Sequence, residues 1–244
     1  MFKTVDEFDS VIKQEWGLPV VYDGITCIDE YNKAPVKILW ILKEGNESEE
    51  QDERDHRDFH TNVTEYYSGW KATYKNIILS TYGMLHNLAY KDLPTLSDDA
   101  KVNGEYVLDK IALINVNKNG GGSQADSSVI EDNYTKHKSV LLQQIDGINP
   151  DVIINCSRVN RLFNDVADKY GLAKKQHDAR QEFDLVVDYA ENTKKLVINY
   201  WHPGAHMTDE SYQKMILDVY ALWLTKRCSS AWRQNLNRGF IVSN

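Results

Sequence analysis

Three short segments concentrate residue types that can do chemistry: Lys43-Glu44-Gly45-Asn46, then Asn115-Val116-Asn117-Lys118-Asn119 running into Gly120-Gly121-Gly122, and Tyr200-Trp201-His202-Pro203-Gly204-Ala205-His206. Brought together, they would offer a carboxylate, histidines, side-chain amides and exposed backbone. That set supports general acid/base or electrostatic catalysis on a ligand rich in carbonyls and amines. Pro203 restricts the backbone at His202 and helps aim the imidazole. Each segment also has a plainer reading: Glu44 as a solvated loop acid, His202 as a structural hydrogen-bonder, Asn115 as the cap of a neighbouring loop. The triple glycine lacks the spacing of a phosphate-binding P-loop. His56/His60 and His202/His206 have metal-compatible spacing, but Pro203 and Gly204 argue against a helix presenting the second pair. No metal and no organic cofactor is expected.

Ligands of open α/β sheets bind outside the carboxyl ends of the strands, and strand-forming runs precede all three segments. Val36–Leu42 reads as a buried strand leading to Glu44. Residues 111–116 form a second, and Leu196–Tyr200 a third that leads to His202. Val152–Asn155 and Phe183–Tyr189 read as two further strands. Helices are expected at 4–16, opened by a Thr4/Glu7 capping box, and at about 70–90, 130–145 and 159–170. A last long helix begins near Thr208, where Asp209 and Glu210 suit the helix dipole. The segment from Lys43 to about Tyr67 reads as a long polar loop, a length usually functional or mobile. Strands alternating with helices predict an α/β fold: a three-layer αβα sandwich with a mostly parallel central sheet. No linker or repeat divides the chain. One domain is expected over 1–244, with its core at about 36–225 and a basic tail at 226–244.

The composition is that of an ordinary globular protein, with 244 residues, 42% hydrophobic and 26% charged. No apolar run approaches the roughly 20 residues that cross a bilayer, so no membrane partner is expected. Met1–Glu7 has no apolar signal core. Three scattered cysteines, without a CxxC pair, fit a reducing compartment, and the expected location is cytoplasmic. The net charge is −8, but its distribution matters more than its sum. Between Glu44 and Asp58 eight acids face Arg54 and Arg57, a local balance of −6. The rest of the chain is near neutral and leaves room for a basic face.

The order of these segments resembles the uracil-DNA glycosylase superfamily. There, a first strand runs into a Gly-Gln-Asp-Pro, Gly-Glu-Ala-Pro-Gly or Gly-x-Asn-Pro loop. A middle strand ends in an Asn that reads the base, and a late His-Pro-Ser or similar loop supplies a histidine. Ile38–Asn46 resembles the first element, Ala112-Leu113-Ile114-Asn115 the second, Asn149–Ser157 the following strand and loop, and Trp201-His202-Pro203-Gly204 the last. The resemblance spans about Val36 to Leu224. It departs from the family where Lys43 replaces the motif glycine and Asn46 its proline. Gly45 stands where many members carry Asp or Asn, and the carboxylate is Glu44, as in the Gly-Glu-Ala-Pro-Gly branch. Glu47 occupies the place of the tyrosine that closes off the 5-position of uracil.

The resemblance implies a monofunctional DNA glycosylase that flips a nucleotide into a pocket and hydrolyses the bond between base and sugar. Loss of the tyrosine gate points away from plain uracil to a base with a bulky 5-substituent. Glucosylated hydroxymethylcytosine of phage DNA, and hence antiviral defence, is one such target. In this scheme Glu44 stabilises the sugar cation and positions water, while His202 donates to the carbonyl oxygen of the leaving base. Asn115 reads the base edge. Lys43, Gly45 and Asn46 line the substrate, and Tyr66, Tyr67 or Trp70 stacks on the base. Lys118, Ser157, Arg158, Arg161, Gly204 and His206 would meet DNA phosphates, with solvated surface charge as the plainer reading of each. DNA is the expected partner and no obligatory protein partner is implied. Three alternatives remain: a nucleoside or nucleotide hydrolase, a catalytically silent module binding modified DNA or a protein, and a metal-dependent hydrolase using His56 and His60.

Overall fold

The computed structural model describes residues 5–45, 52–58, 63–66, 69–121 and 125–239, with side chains described as far as Arg227. The chain begins with helix α1 (Val5–Trp16), short strands β1 (Val20–Tyr22) and β2 (Gly24–Ile25), and helix α2 (Ile28–Lys33). Strand β3 (Ile38–Leu42) is followed by β4 (Glu53–Asp55), α3 (Val63–Tyr66) and α4 (Lys71–His86). Then come β5 (Ile111–Asn115), α5 (Ser127–Ile148), β6 (Val152–Asn155) and α6 (Asn160–Lys169). Strand β7 (Ala173–Asp178), a turn of helix α7 (Arg180–Phe183), β8 (Val186–Glu191), β9 (Leu196–Asn199) and the long α8 (Asp209–Gly239) complete it.

Among the described residues, seven strands form one sheet in the order β2-β5-β3-β6-β9-β8-β7. The four central strands are mutually parallel, whereas β2, β8 and their pairings at the two ends are antiparallel. The fold is therefore α/β with a mixed sheet, parallel at its centre and antiparallel toward both ends. The antiparallel pairings involve the two-residue β2 and the polar edge strand β7, which have no apolar run to announce them, and β8, which the sequence did announce. β7 is Ala-Lys-Lys-Gln-His-Asp and almost wholly exposed, the charged composition that protects an edge from further pairing.

The central strands are buried on both faces, which explains their unbroken apolar runs. Alternation divides them between two cores. Ile38, Trp40, Leu42, Ile111, Leu113, Ile154 and Ile198 pack with residues of α4 and α8. Leu39, Ile41, Ala112, Ile114, Val116, Ile153 and Val197 pack with α1, α5 and α6 on the other side. The Trp40 indole donates to Thr81 Oγ1 at 3.0 Å, so even the largest buried side chain keeps its polar atom satisfied.

Helix ends differ from expectation where single residues take left-handed backbone. Asn87 (φ 53°) ends α4 before residue 90, and Asn149 (φ 48°) ends α5. Asp126 caps α5 through Ser128 N at 2.8 Å, four residues ahead of the apolar pattern. Asp184 (φ 55°) closes α7, so the strand expected from Phe183 begins at Val186. Thr4 of the expected capping box lies outside the described residues. The polar segment after β3 is not structureless throughout: β4 pairs in parallel with β1, Glu53 pairs with Lys13 at 2.6 Å and Arg57 with Asp9 at 2.8 Å. Among the described residues no helix is long and apolar enough to cross a membrane.

Candidate active site

The parallel strands β5, β3, β6 and β9 deliver their carboxyl ends, and so all three polar segments, to one edge of the sheet. Register explains the first contact. Leu42 stands opposite Asn115, and the ladder runs on past both strands as Val116 N donates to Leu42 O and Asn117 N to Lys43 O. Two residues beyond each strand, Asn117 Nδ2 donates to Glu44 Oε2 at 2.9 Å. Among the described residues that is the carboxylate's one side-chain partner, and Glu44 stays half-buried. Gly121 closes the other side: its N–H donates to Gly45 O at 2.9 Å, and a Cβ there would sit 2.1 Å from the Glu44 carboxyl carbon. The third glycine of the run, Gly122, lies outside the described residues.

The His202 loop is anchored from beneath. Asn76 of α4 donates to Pro203 O at 2.9 Å, and Gln213 of α8 donates to Asn76 Oδ1 at 2.9 Å, all three being buried. Tyr212 donates to Trp201 O at 2.9 Å. Gly204 is pressed against α4, 3.1 Å from Thr73 Oγ1 to its would-be Cβ, and its N–H donates to His202 Nδ1 at 3.2 Å. An Nδ1 that accepts leaves the proton of the neutral ring on Nε2. Burial, with a smaller push from the Lys43 ammonium, drives the imidazole down from 6.5 to about 4. His202 is thus a neutral Nε2–H donor near pH 7.

Asn115 is buried at the end of β5. Its backbone N–H donates to Asp23 Oδ2 at 2.7 Å and its Nδ2 to the same oxygen at 3.3 Å. Asn115 Oδ1 is buried with no hydrogen-bond partner among the described residues. Leaving an acceptor so costs about 1–3 kcal/mol, which calls for an explanation.

Several expected DNA contacts are placed elsewhere. Lys118 is 0% exposed, ion-paired with Asp23 and hydrogen-bonded to Gln144 Oε1 at 2.8 Å, so it cannot meet a phosphate. Its position continues the Ala112-Ile114-Val116 alternation into the α5 side of the sheet. Burial pushes its ammonium down while Asp23 pulls it up. Ser157 is buried too: its Oγ donates to Asn155 Oδ1 at 2.6 Å and accepts from Val159 N at 3.2 Å, which closes the turn after β6. Arg161, in the first turn of α6 after β6, stays more than half exposed and pairs at the surface with Glu131 at 3.0 Å. Trp70 belongs to the core beside α4, so its ring is a wall and not a free stacking face. Arg158, Gly204 and His206 lie at the carboxyl edge. Asn46, Glu47, Tyr67 and His60 lie outside the described residues, as does the side chain of Tyr66. His56 is buried, and burial lowers its pKa although Asp23 opposes this. Among the described residues no three metal-ligating side chains cluster.

Sequence reasoning missed Asn117, Asp23, Asn76 and Gln213. Asn117 carried a signal, since it stands as far beyond Asn115 as Glu44 does beyond Leu42. The other three come from elements remote in sequence. No protein-family model matches the chain, and no curated protein matches it.

Proposed function

We propose that the chain is a monofunctional DNA glycosylase, a hydrolase of the bond between a flipped-out base and its deoxyribose. The reading rests on the resemblance of the segments around Glu44, Asn115 and His202, on the parallel central strands that carry those segments to one edge, and on the chemistry of those side chains. The observation that carries it is His202: a neutral ring with Nδ1 engaged by Gly204 and Nε2–H left to donate. A departing base accumulates negative charge on its carbonyl oxygen, and a preorganised neutral donor stabilises it without adding a mobile proton. Glu44 supplies the complementary charge, holding one oxygen to Asn117 and presenting the other to the sugar cation or to water. The buried, unpartnered Asn115 Oδ1 has the chemistry to accept from an amino or imino group of the base edge once a flipped base uncovers it. No metal or organic cofactor is needed for this reaction. The place of Glu47, without the tyrosine gate, favours a base carrying a 5-substituent over plain uracil, with modified phage DNA as the target class.

Free-base release separates this reading from a nucleoside hydrolase using the same groups. A glycosylase releases base from oligonucleotides and leaves the matching mononucleosides intact. Release from mononucleosides at a comparable rate would transfer the site to the hydrolase. Tight binding of modified DNA with no base released, unaffected by Glu44→Gln, would favour the silent module.

A further inference from the structure

One residue before His202 the chain exposes an aromatic side chain. Trp201 is 41% exposed, and the Arg158 guanidinium lies over its ring, 3.6 Å from the centroid. Arg158 has no salt bridge among the described residues, so its in-plane N–H groups are available. Its backbone is left-handed (φ 68°), a strained state for a residue other than glycine that persists where the surroundings impose it. Beneath the pair is a cavity of about 220 Å³ lined also by Val186, Asn160, Asn199 and Asp188. It shares the last three with a neighbouring cavity of about 400 Å³ toward Lys174. Val186 is itself 40% exposed and borders the same cavity, whose lining is almost wholly polar.

The polar wall is preorganised. Asn155, buried at the end of β6, donates to Asn199 Oδ1 at 2.9 Å, and Asn199 donates to Asn160 Oδ1 at 2.9 Å. The relay fixes the amide orientations and leaves the Asn160 NH2 as a donor. Asp188 adds an acceptor, one oxygen of which takes Gln176 Nε2 at 2.9 Å. An indole that stays 41% exposed with the Arg158 guanidinium over one face, and a donor and an acceptor in the adjoining cavity, match a nucleobase with its phosphate.

We infer that the Arg158–Trp201 pair and its amide-lined cavity hold an unpaired nucleotide of a single-stranded polynucleotide, next to the nucleotide that reacts at His202. The location relative to the reacting nucleotide rests on the glycosylase reading; the recognition chemistry does not. Strandedness follows from stacking. A base inside a duplex has both faces covered by its neighbours, whereas an unpaired base has a face to give to Trp201.

The test is the affinity of the whole chain for a short single strand of unmodified bases and for the same sequence as a duplex. Wild type binds the single strand more tightly, Trp201→Ala weakens that binding by about tenfold or more, and Trp201→Phe retains most of it. Arg158→Ala lowers the slope of log affinity against log salt by about 0.7 for the single strand. Equal affinities for single strand and duplex, or a Trp201→Ala variant that binds like wild type, would overturn the inference. Because the probe contains no excisable base, these outcomes are independent of catalysis. Loss of single-strand binding in the variant, together with no base released from any DNA, would uphold the nucleotide subsite and reject the glycosylase.

Discussion

Two carboxylates stand near the same strand ends and have opposite surroundings. Asp23 is closed: its side chain is 1% exposed, Oδ1 receives Lys118 and Gln144, and Oδ2 receives the backbone and side chain of Asn115. Glu44 is open: it is half-buried, Asn117 holds one oxygen, and Gly121 presses against it without a side chain. What separates the structural acid from the one proposed to do chemistry is how many of its lone pairs the fold has already used. Asp23 has none left for a ligand, while Glu44 is aimed by one hydrogen bond and keeps capacity in reserve. The same contrast holds between Lys118, whose charge is consumed inside, and Arg158, whose guanidinium lies on an exposed ring.

The largest effect expected from this contrast is on stability. Lys118→Met leaves Asp23 charged, buried and without its cation, which costs about 3–5 kcal/mol. Chemical denaturation measures it. A variant of unchanged stability that had lost DNA affinity would return Lys118 to the phosphate contacts and erase the distinction.

The next effect is on rate and not on stability. Gly121→Ala puts a methyl group into the Glu44 carboxylate, which is the end of a flexible side chain and turns aside. Unfolding free energy should change by less than about 0.5 kcal/mol, as for a surface substitution. Turnover should fall by about 10²-fold, the scale of a misplaced catalytic group. A loss of stability with turnover intact would make the glycine a packing residue.

The smallest effect is on pH dependence. His202 titrates near 4 in the folded chain against 6.5 for an ordinary histidine, and His56 is shifted the same way by burial. Between those values the unfolded chain binds more protons than the folded one, so stability rises with pH and is lost as pH falls from about 6.5 toward 4. His202→Gln should shallow that decline, as followed by denaturation midpoints at pH 7 and pH 5. An identical slope in both proteins would mean that the imidazole is not held neutral by the fold.

The central strands and the three polar segments were legible in the sequence because buried parallel strands are plain apolar runs and the segments that follow them are conspicuously polar. The edges were not legible. β1, β2 and β4 are two or three residues long, and β7 reads as a polar loop because an edge strand is charged for its own protection. The fate of Lys118 was half legible. Its even position continues the buried alternation of β5, but its partner Asp23 lies beside the two-residue β2, with no pattern to link them. Nor could spacing reveal that Asn76 and Gln213 brace the His202 loop, since helix faces 137 residues apart meet only in the folded chain.

Cleavage of a glycosidic bond in DNA by the open carboxylate and the neutral histidine can be read by counting alkali-sensitive abasic sites in uracil-, hypoxanthine-, hydroxymethylcytosine- and glucosylated-cytosine-containing DNA, with wild type and Glu44→Gln side by side. Cuts are expected in one of these DNAs, on a modified base and not on uracil, and should fall by at least about 10²-fold in the variant. Cuts that persist at the wild-type rate in Glu44→Gln, or intact DNA throughout, would contradict it.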